Sequence, residues 1–278
     1  MSVIYEIKRA GVRVLPRPVI QVLKKIEKQG NKIKRFYYTH KAFQHTDAQV
    51  FEFNFGVTWM KKGEFLTSYK YWEQAKKEGI CSQTAYDRIT FISNPSFFQN
   101  KEEFDDFCKK TEGKQCLEIG SSTEGILVYL PWLTKRHLID PLTARYRAVQ
   151  LKEWGKTIFT DDIKIHSQLA ETIIPELVGK VDGTIICKNT LDHTIDPWKI
   201  LENISVYAAE GCTFLLWTDI WHFNLMDPGH RNIIKDPIAF ENKIKELGFD
   251  IVRKLPDAID RHRTIHYGCV AVKRAVAK

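Results

Sequence analysis

Cysteine is sparse in this chain and follows no pattern that suggests a metal site or a disulfide framework. The six cysteines are scattered along 278 residues, and no two have C-x-x-C spacing. The last four lie in segments whose apolar residues predict buried strands: Cys116, Cys187, Cys212 and Cys269. Cysteine in such places acts as a small hydrophobic group. We therefore expect reduced thiols in the cytoplasm, with neither disulfides nor a zinc site.

Long apolar segments are also lacking. No run approaches the roughly 20 residues that cross a bilayer. The first fourteen residues, MSVIYEIKRAGVRV, lack the continuous apolar core of a secretory signal. With 44% hydrophobic and 27% charged residues, the composition is ordinary for a soluble globular protein of one large or two small domains.

Glycine is missing from one position where dinucleotide-binding loops require it. Residues 115–120, QCLEIG, form an apolar run that ends at Gly120, as a buried parallel strand does. The polar loop that continues to Gly125 would match G-x-G-x-x-G only with glycine in place of Ser122. The missing glycine argues against a bound pyrophosphate and favours a nucleoside-type ligand without phosphates.

A second strand follows this loop at the spacing of a βαβ unit. The apolar residues 126–132 predict a helical crossover, and residues 137–139 predict a strand that ends at Asp140. Gly120 and Asp140 are 20 residues apart. This spacing is typical of units whose second strand presents a carboxylate to a ribose diol.

Strand and helix patterns alternate along the rest of the chain, which predicts a parallel sheet covered by helices. Asp196-Pro197 and Asp236-Pro237 each combine a capping residue with a first-turn proline. The other predicted strands are 157–159, 182–187, 212–217, 248–252 and 264–272. The predicted helices after the first strand are 142–154, closed by Gly155, and then 165–178, 198–208 and 237–247.

These segments resemble a known family. LEIGSSTEG followed by LIDPL resembles motifs I and II of class I S-adenosylmethionine-dependent methyltransferases, although the family loop carries more glycine than Ser122 allows. Residues 182–197 and 209–216 resemble later blocks of its small-molecule and glycan members, of methyltransferase type 11/12. The resemblance implies a Rossmann-like, doubly wound α/β fold over residues 113–278. Its seven-stranded sheet would be mostly parallel, with an antiparallel last strand.

The same resemblance implies S-adenosyl-L-methionine as cofactor. Glu118 and Gly120 would face its methionine end, and Asp140 would bind the ribose hydroxyls. Asp162, after the predicted third strand, would bind the adenine amino group or, as an equal alternative, cap the following helix. The predicted cofactor-binding residues are Glu118, Gly120, Ser121, Ser122, Gly125, Asp140, Asp162 and Asn189.

The loops after strands four and five would face the methyl acceptor. His193, beside Asp192, can act as a general base near neutral pH, or it can shape the loop through backbone hydrogen bonds. His222 lies in an aromatic loop suited to stacking on a sugar or another flat acceptor. The predicted catalytic residues are His193, Asp192 and His222. Asp192, Asp219, His222 and His230 are irregularly spaced, so no metal site is predicted.

The N-terminal residues 1–112 predict a mainly helical accessory region over the substrate side. Residues 1–50 carry eleven Lys and Arg against three acidic residues, which accounts for the whole net charge of +8. A basic amphipathic helix is predicted at 18–30, able to lie on a membrane or other anionic surface or to pack on its own domain. Helices are predicted at 64–77 and 101–110, and residues 84–92 predict a helix or an irregular apolar stretch. The alternating Phe51, Phe53 and Phe55 predict a half-buried strand or an aromatic-rich wall.

The acceptor is constrained mainly by absent motifs. Neither N-P-P-Y nor D-P-P-Y follows strand four, which argues against methylation of the exocyclic amines of nucleic-acid bases. No Pro-Cys dipeptide occurs, which argues against methylation of carbon-5 of cytosine or uracil. O-methylation of a small molecule or sugar is the leading hypothesis. An RNA methyltransferase that uses residues 1–50 to bind phosphates is an alternative. A non-catalytic binding protein on a degenerate fold is another, supported by Ser122.

Overall fold

The computed structural model describes residues 45–93, 96–221, 236–256 and 265–275. The predicted basic helix at 18–30, His222 and His230 lie outside these ranges. Within these ranges, no helix combines the length and the hydrophobicity needed to cross a bilayer.

A seven-stranded sheet forms the centre of the described structure. Its strands are β1 Gln115–Ile119, β2 Lys135–Ile139, β3 Ile163–His166, β4 Thr184–Lys188, β5 Thr213–Trp221, β6 Phe249–Lys254 and β7 Ile265–Lys273. The order is β3-β2-β1-β4-β5-β7-β6. Strands β1 to β5 pair in parallel, whereas β7 is antiparallel to β5 and β6. The predicted fold class, including the antiparallel last strand, is confirmed.

The order of the strands reverses direction between β1 and β4. From β1 the chain first adds β2 and β3 on one side and then crosses back to place β4 on the other side. Loops leaving the carboxyl ends of β1 and β4 therefore run in opposite directions and leave a crevice between them. This topological switch point is where the fold itself prepares a ligand site.

The predicted third strand at 157–159 is wrong. The strand is Ile163–His166, where Ile163 lies opposite Arg136 of β2. Ile158 and Phe159 are buried as core side chains in a loop. The Gln150 side chain accepts hydrogen bonds from Thr157 Oγ1 and Ile158 N, which satisfies polar groups that a strand would otherwise satisfy. The predicted helix at 165–178 is also wrong, because β3 occupies its start and only Pro175–Leu177 forms a 3₁₀ turn.

Helices cover both faces of the sheet. They are α1 His45–Trp59, α2 Phe65–Glu78, α3 Gln83–Ile92, α4 Lys101–Thr111, α5 Thr143–Trp154, α6 Pro197–Tyr207 and α7 Pro237–Glu246. The predicted caps are confirmed: Asp196 accepts from Lys199 N, Asp236 accepts from Ile238 N, and Gly155 ends α5 with φ +66°. The predicted helical crossover at 126–132 is reduced to a 3₁₀ turn, Leu127–Tyr129.

Helix α1 replaces the strand predicted from Phe51, Phe53 and Phe55. The alternation misleads because Phe51 and Phe55 are exposed, whereas Phe53 stacks on Tyr146 of α5 with ring centroids 5.3 Å apart. A side chain at Gly56 would lie 2.7 Å from Thr123 and Tyr146. Glycine at this position therefore lets the backbone of α1 pack directly on the loop after β1 and on α5.

The helices before β1 share a hydrophobic core with the sheet. Met60, Phe65 and Trp72 belong to the same buried cluster as Ile186 of β4 and Leu215 of β5. The second cluster fills the opposite face of the sheet, under α6 and α7. The division into an accessory region 1–112 and a domain 113–278 stays a prediction. In the part of the chain that is described, α1 to α4 complete the core of the sheet rather than building a core of their own.

Candidate functional site

A cavity of about 500 Å³ lies at the carboxyl ends of β1, β2 and β4, at the topological switch point. The loops after these strands form its floor. Helix α1 forms its roof with four residues that lie on one face of the helix: Gln49, Glu52, Gly56 and Trp59. The cavity is therefore bounded by both the sheet and the N-terminal helices.

Glu118 at the end of β1 holds the loop that follows it. Its carboxylate is buried and accepts hydrogen bonds from Ile126 N at 2.8 Å and Leu127 N at 2.9 Å. A side chain at Gly125 would come within 2.5 Å of Glu118 Oε2, so the predicted glycine is required by this packing. Burial raises the pKa of the Glu118 carboxyl to about 7, although the two amides oppose this.

Gly120 and Ser122 give the loop its left-handed turns. Gly120 has φ +76°, and a Cβ there would lie 2.0 Å from Thr190 Oγ1 in the loop after β4. Ser122 has φ +50°, a conformation that favours glycine. The loop thus keeps its turn at the position where the resemblance expects glycine, at the cost of local backbone strain.

Asp140 joins this loop to the start of α5. Its Oδ2 accepts from Ser122 N at 2.9 Å, and its Oδ1 accepts from Leu142 N at 2.6 Å and Thr143 N at 3.1 Å. Burial raises the pKa of Asp140, and these amides oppose the shift. Ser121 Oγ lies 2.7 Å from Thr143 Oγ1 and adds a second link. The structure thus brings Ser121, Ser122 and Asp140 together at the cavity.

Asp162 is not part of this arrangement. It directly precedes β3, at the amino edge of the sheet, and forms an ion pair with the buried Arg136. Its predicted place after the third strand depends on the strand at 157–159, which is wrong. The chain that follows β3 instead brings Leu169, Ala170 and Glu171 to the cavity.

His193 lies between two carboxylates on the α1 side of the cavity. It ends the 3₁₀ turn Leu191–His193 that follows β4. Its Nε2 is 3.5 Å from Asp192 Oδ2, and its Nδ1 is 3.3 Å from Glu52 Oε1. Asp192 is buried and accepts from Thr218 Oγ1 at 3.4 Å. The predicted pair Asp192 and His193 therefore adjoins the cavity, with an imidazole positioned to exchange a proton.

Sequence reasoning missed Glu52. The residue lies 141 positions before His193, so no local motif connects the two. The helical period that places Gln49, Glu52 and Gly56 on one face was the available signal, and the alternating phenylalanines obscured it. The Glu52 carbonyl also accepts from Tyr146 Oη at 2.8 Å, which fixes α1 over the site.

Asn189 and Lys188 bring polar groups to the cavity from the end of β4. Asn189 has φ +47°, and its backbone N donates to Trp217 O at 2.6 Å. Its side-chain Oδ1 is buried without a hydrogen-bond partner among the described residues. A buried acceptor of this kind needs a donor, which water or a ligand can supply.

A buried arginine ties the N-terminal helices to the loop after β1. Arg88 of α3 donates to both carboxylate oxygens of Glu124 at 2.7 Å, and to Ser68 Oγ of α2 at 2.9 Å. Tyr129 Oη also donates to Glu124. The carboxylate of Glu124 raises the pKa of Arg88 against the effect of burial, so the guanidinium stays charged. Glu124 itself lines the cavity.

A second histidine–carboxylate pair lies on β5 and β7. Asp219, which the sequence analysis considers with Asp192, His222 and His230 as a metal ligand, is hydrogen-bonded to His266, whose ring stacks on Trp217 at 5.0 Å. Sequence reasoning missed His266, because only the antiparallel register places it opposite Asp219. Over the described residues, His, Cys, Asp and Glu side chains form no group of three or more that could hold a metal ion.

Comparison with known proteins finds similarity in structure. No family model and no curated protein matches the sequence. Three solved structures illustrate the matches. The CurJ carbon methyltransferase is 14% identical, over 83% of this chain and 71% of its own, at a TM-score of 0.48. The methyltransferase domain of the citrinin polyketide synthase is 17% identical, over 63% of this chain and 52% of its own, at a TM-score of 0.46.

The third is a variant of the 16S rRNA (adenine(1408)-N(1))-methyltransferase from Catenulisporales acidiphilia, solved with S-adenosylmethionine. It is 14% identical, over 63% of this chain and 92% of its own, at a TM-score of 0.43. These likenesses concern the fold. The strand order and the antiparallel last strand are those of the Rossmann-like α/β fold that the motifs predict.

Proposed function

We propose that this protein is an S-adenosylmethionine-dependent methyltransferase that methylates an oxygen of a small molecule or sugar. The observation that carries the proposal is the link between Asp140 and Ser122 N at the switch point of the sheet. It places a carboxylate and a glycine-started loop at one end of a cavity of about 500 Å³. His193, a candidate proton acceptor, lines the same cavity.

The residues present fit the cofactor. The ammonium group at its methionine end can bind the Glu118 carboxylate and Asn189 Oδ1, a buried acceptor to which no described residue donates. Asp140 would hold the ribose, and Gly120 to Ser122 would form the wall beside it. The positive φ of Ser122 preserves this wall, which weakens the alternative of a degenerate, non-binding fold.

The cofactor supplies a methyl group on a positively charged sulfur, which reacts by in-line displacement. The chain must therefore hold the acceptor oxygen in line, exclude water and remove the acceptor's proton. We assign the proton to His193 Nδ1 or Nε2, with Glu52 and Asp192 orienting the ring and stabilising the imidazolium. His222 keeps its predicted role as a proposal, outside the described residues.

The acceptor end of the cavity favours a small molecule over nucleic acid. Phe55 and Trp59 line it beside the carboxylates of Glu52 and Glu171. Such a surface suits an apolar or sugar ring and repels a phosphate backbone. The basic residues 1–50 keep RNA as the second candidate. Their contact with an anionic surface and a cytoplasmic location stay predictions.

Cofactor binding is tested by thermal unfolding with S-adenosylhomocysteine. At a hundredfold excess over Kd, binding should stabilise the protein by about 2.7 kcal/mol, a rise in Tm of about 5–10 °C. Asp140→Ala should abolish the rise, because the loop loses its anchor and the ribose its carboxylate. Asp162→Ala, at the other edge of the sheet, should keep it. A wild-type Tm that does not respond would refute the proposed function.

The acceptor class is tested by methyl transfer from labelled S-adenosylmethionine to phenols, saccharides and tRNA. We expect turnover on a phenol or saccharide, slowed about 100-fold in His193→Gln because the proton acceptor is lost. S-adenosylhomocysteine should bind this variant as tightly as it binds wild type. Turnover on tRNA alone would replace the small-molecule hypothesis with the RNA one.

A further inference from the structure

We propose that Lys188 binds the carboxylate of the cofactor's amino-acid end, with Asn189 as acceptor for the adjacent ammonium. This inference rests on the proposed function and extends it to specificity. The site would select ligands that carry a complete α-amino acid over nucleosides that lack one.

Lys188 is placed for this role by the sheet. It is the last residue of β4, directly at the switch point. In the register of β1 with β4, Glu118 lies opposite Ile186. Side chains alternate along a strand, so Lys188 shares a face with Ile186 and thus with Glu118. Both residues line the cavity. Adjacent strands therefore present a carboxylate and an ammonium to the same space.

The acidic groups near Lys188 have other partners. Glu118 accepts from the amides of Ile126 and Leu127, one at each oxygen, which leaves it lone pairs for a ligand ammonium. Glu124 is held by Arg88 and Tyr129. Asp219 is bonded to His266. No described residue accepts a hydrogen bond from Lys188 Nζ or forms an ion pair with it; the nearest ring, that of Trp217, is 6.0 Å away.

An ammonium in this position is incompletely compensated. Burial lowers the pKa of Lys188; Glu118, Glu124 and Asp219 oppose this effect, and Arg88 adds to it. An ionised side chain with no direct partner in a cavity wall is costly. A ligand carboxylate beside Nζ would remove that cost and gain a charge-assisted hydrogen bond.

Asn189 supplies the complementary group. Its Oδ1 is a buried acceptor with no donor among the described residues, and the residue lines the cavity next to Lys188. An α-amino acid carries a carboxylate and an ammonium on one carbon atom. The Lys188 ammonium matches the ligand carboxylate. Asn189 Oδ1 and the Glu118 carboxylate match the ligand ammonium.

The test compares two ligands by calorimetry: S-adenosylhomocysteine and 5′-methylthioadenosine, which lacks the amino-acid end. In Lys188→Met we expect the Kd of S-adenosylhomocysteine to rise roughly 10- to 100-fold, because a charged hydrogen bond is lost. The Kd of 5′-methylthioadenosine should stay within twofold. Lys188→Arg should recover most of the affinity. Lys135→Met, which removes an exposed lysine at the amino end of β2, should bind both ligands as wild type does.

The outcomes separate the two proposals. Unchanged affinity of Lys188→Met for S-adenosylhomocysteine would overturn the inference and leave the proposed function intact. Equal weakening of both ligands would also overturn it, since Lys188 would then act through the fold. A wild-type protein that binds neither ligand would overturn the proposed function and this inference with it. The Tm of each variant, measured without ligand, shows that it is folded.

Discussion

Replacing Arg88 with methionine is expected to lower the free energy of unfolding by about 3–5 kcal/mol, because the Glu124 carboxylate is left buried without its cation. The side chain of Arg88 is 5% exposed and that of Glu124 is 12% exposed, so water can do little to compensate. Tyr129 would keep one hydrogen bond to Glu124 but bring no charge. For a chain of this size, such a loss corresponds to a fall in Tm of about 10 °C or more.

Urea unfolding of four proteins measures this effect: wild type, Arg88→Met, Glu124→Gln and the double variant. The double variant should be more stable than Arg88→Met, because it no longer buries an unpaired charge. Arg147→Met is the matched control. Its partner Asp161 is 94% exposed, so the expected loss is below about 1 kcal/mol. Equal losses in Arg88→Met and Arg147→Met would contradict the interpretation.

The Arg88 network also bears on function. Ser68 and Arg88 come from helices before the sheet, whereas Glu124 lies on the loop that lines the cavity. Together with Gly56 and Glu52 of α1, they make the N-terminal helices part of the site's framework. We therefore expect Arg88→Met to weaken S-adenosylhomocysteine binding as well as stability.

The second large effect is a pH dependence of stability that arises from Glu118. Its pKa rises from 4.5 to about 7 on burial in the folded protein. The folded state thus binds this proton more tightly than the unfolded state does. The resulting stabilisation is fully present below pH 4.5 and is lost as the pH rises to about 7. Over this window the loss amounts to about 3 kcal/mol.

Denaturant unfolding between pH 4.5 and 8 compares wild type with Glu118→Gln. The difference in unfolding free energy between the two should change by about 3 kcal/mol across this window, because glutamine does not titrate. Glu112→Gln, an exposed position before β1, should give a pH profile parallel to that of wild type. Parallel profiles for Glu118→Gln and wild type would show that Glu118 does not titrate differently in the folded state.

This pH dependence connects stability to the proposed ligand. An ammonium beside Glu118 would favour its ionised form and offset the cost of burying the charge. S-adenosylhomocysteine should therefore stabilise wild type more at pH 8 than at pH 5. The contribution of Glu118 to the stability of the apoprotein is smallest at the high-pH end of this window, where its ionised form is matched to a cationic ligand.

Local rules in the sequence determined much of the parallel half of the fold. The apolar runs at Gln115–Ile119 and Thr184–Lys188 are buried on both faces, so hydrophobicity alone identifies them as inner strands. Asp196-Pro197, Asp236-Pro237 and Gly155 fix helix ends through their own backbone preferences. The spacing from Gly120 to Asp140 likewise follows from the length of one βαβ unit.

Other features were decided only by tertiary structure. Ile158 and Phe159 look like a strand, but they are buried in a loop because Gln150 satisfies the local backbone. That shift removed Asp162 from the cavity. The phenylalanines of α1 alternate like a strand, but the segment is a helix whose Gly56 packs on Thr123 and Tyr146.

The sequence by itself determined the class of fold and the residues at the ends of β1 and β2, because these depend on neighbours in the chain. Only the tertiary structure brought Glu52 to His193, Arg88 to Glu124 and His266 to Asp219. These partners are between 36 and 141 positions apart in sequence. Their contacts depend on how α1 and α3 pack on the sheet and on the β5–β7 register, which no local pattern encodes.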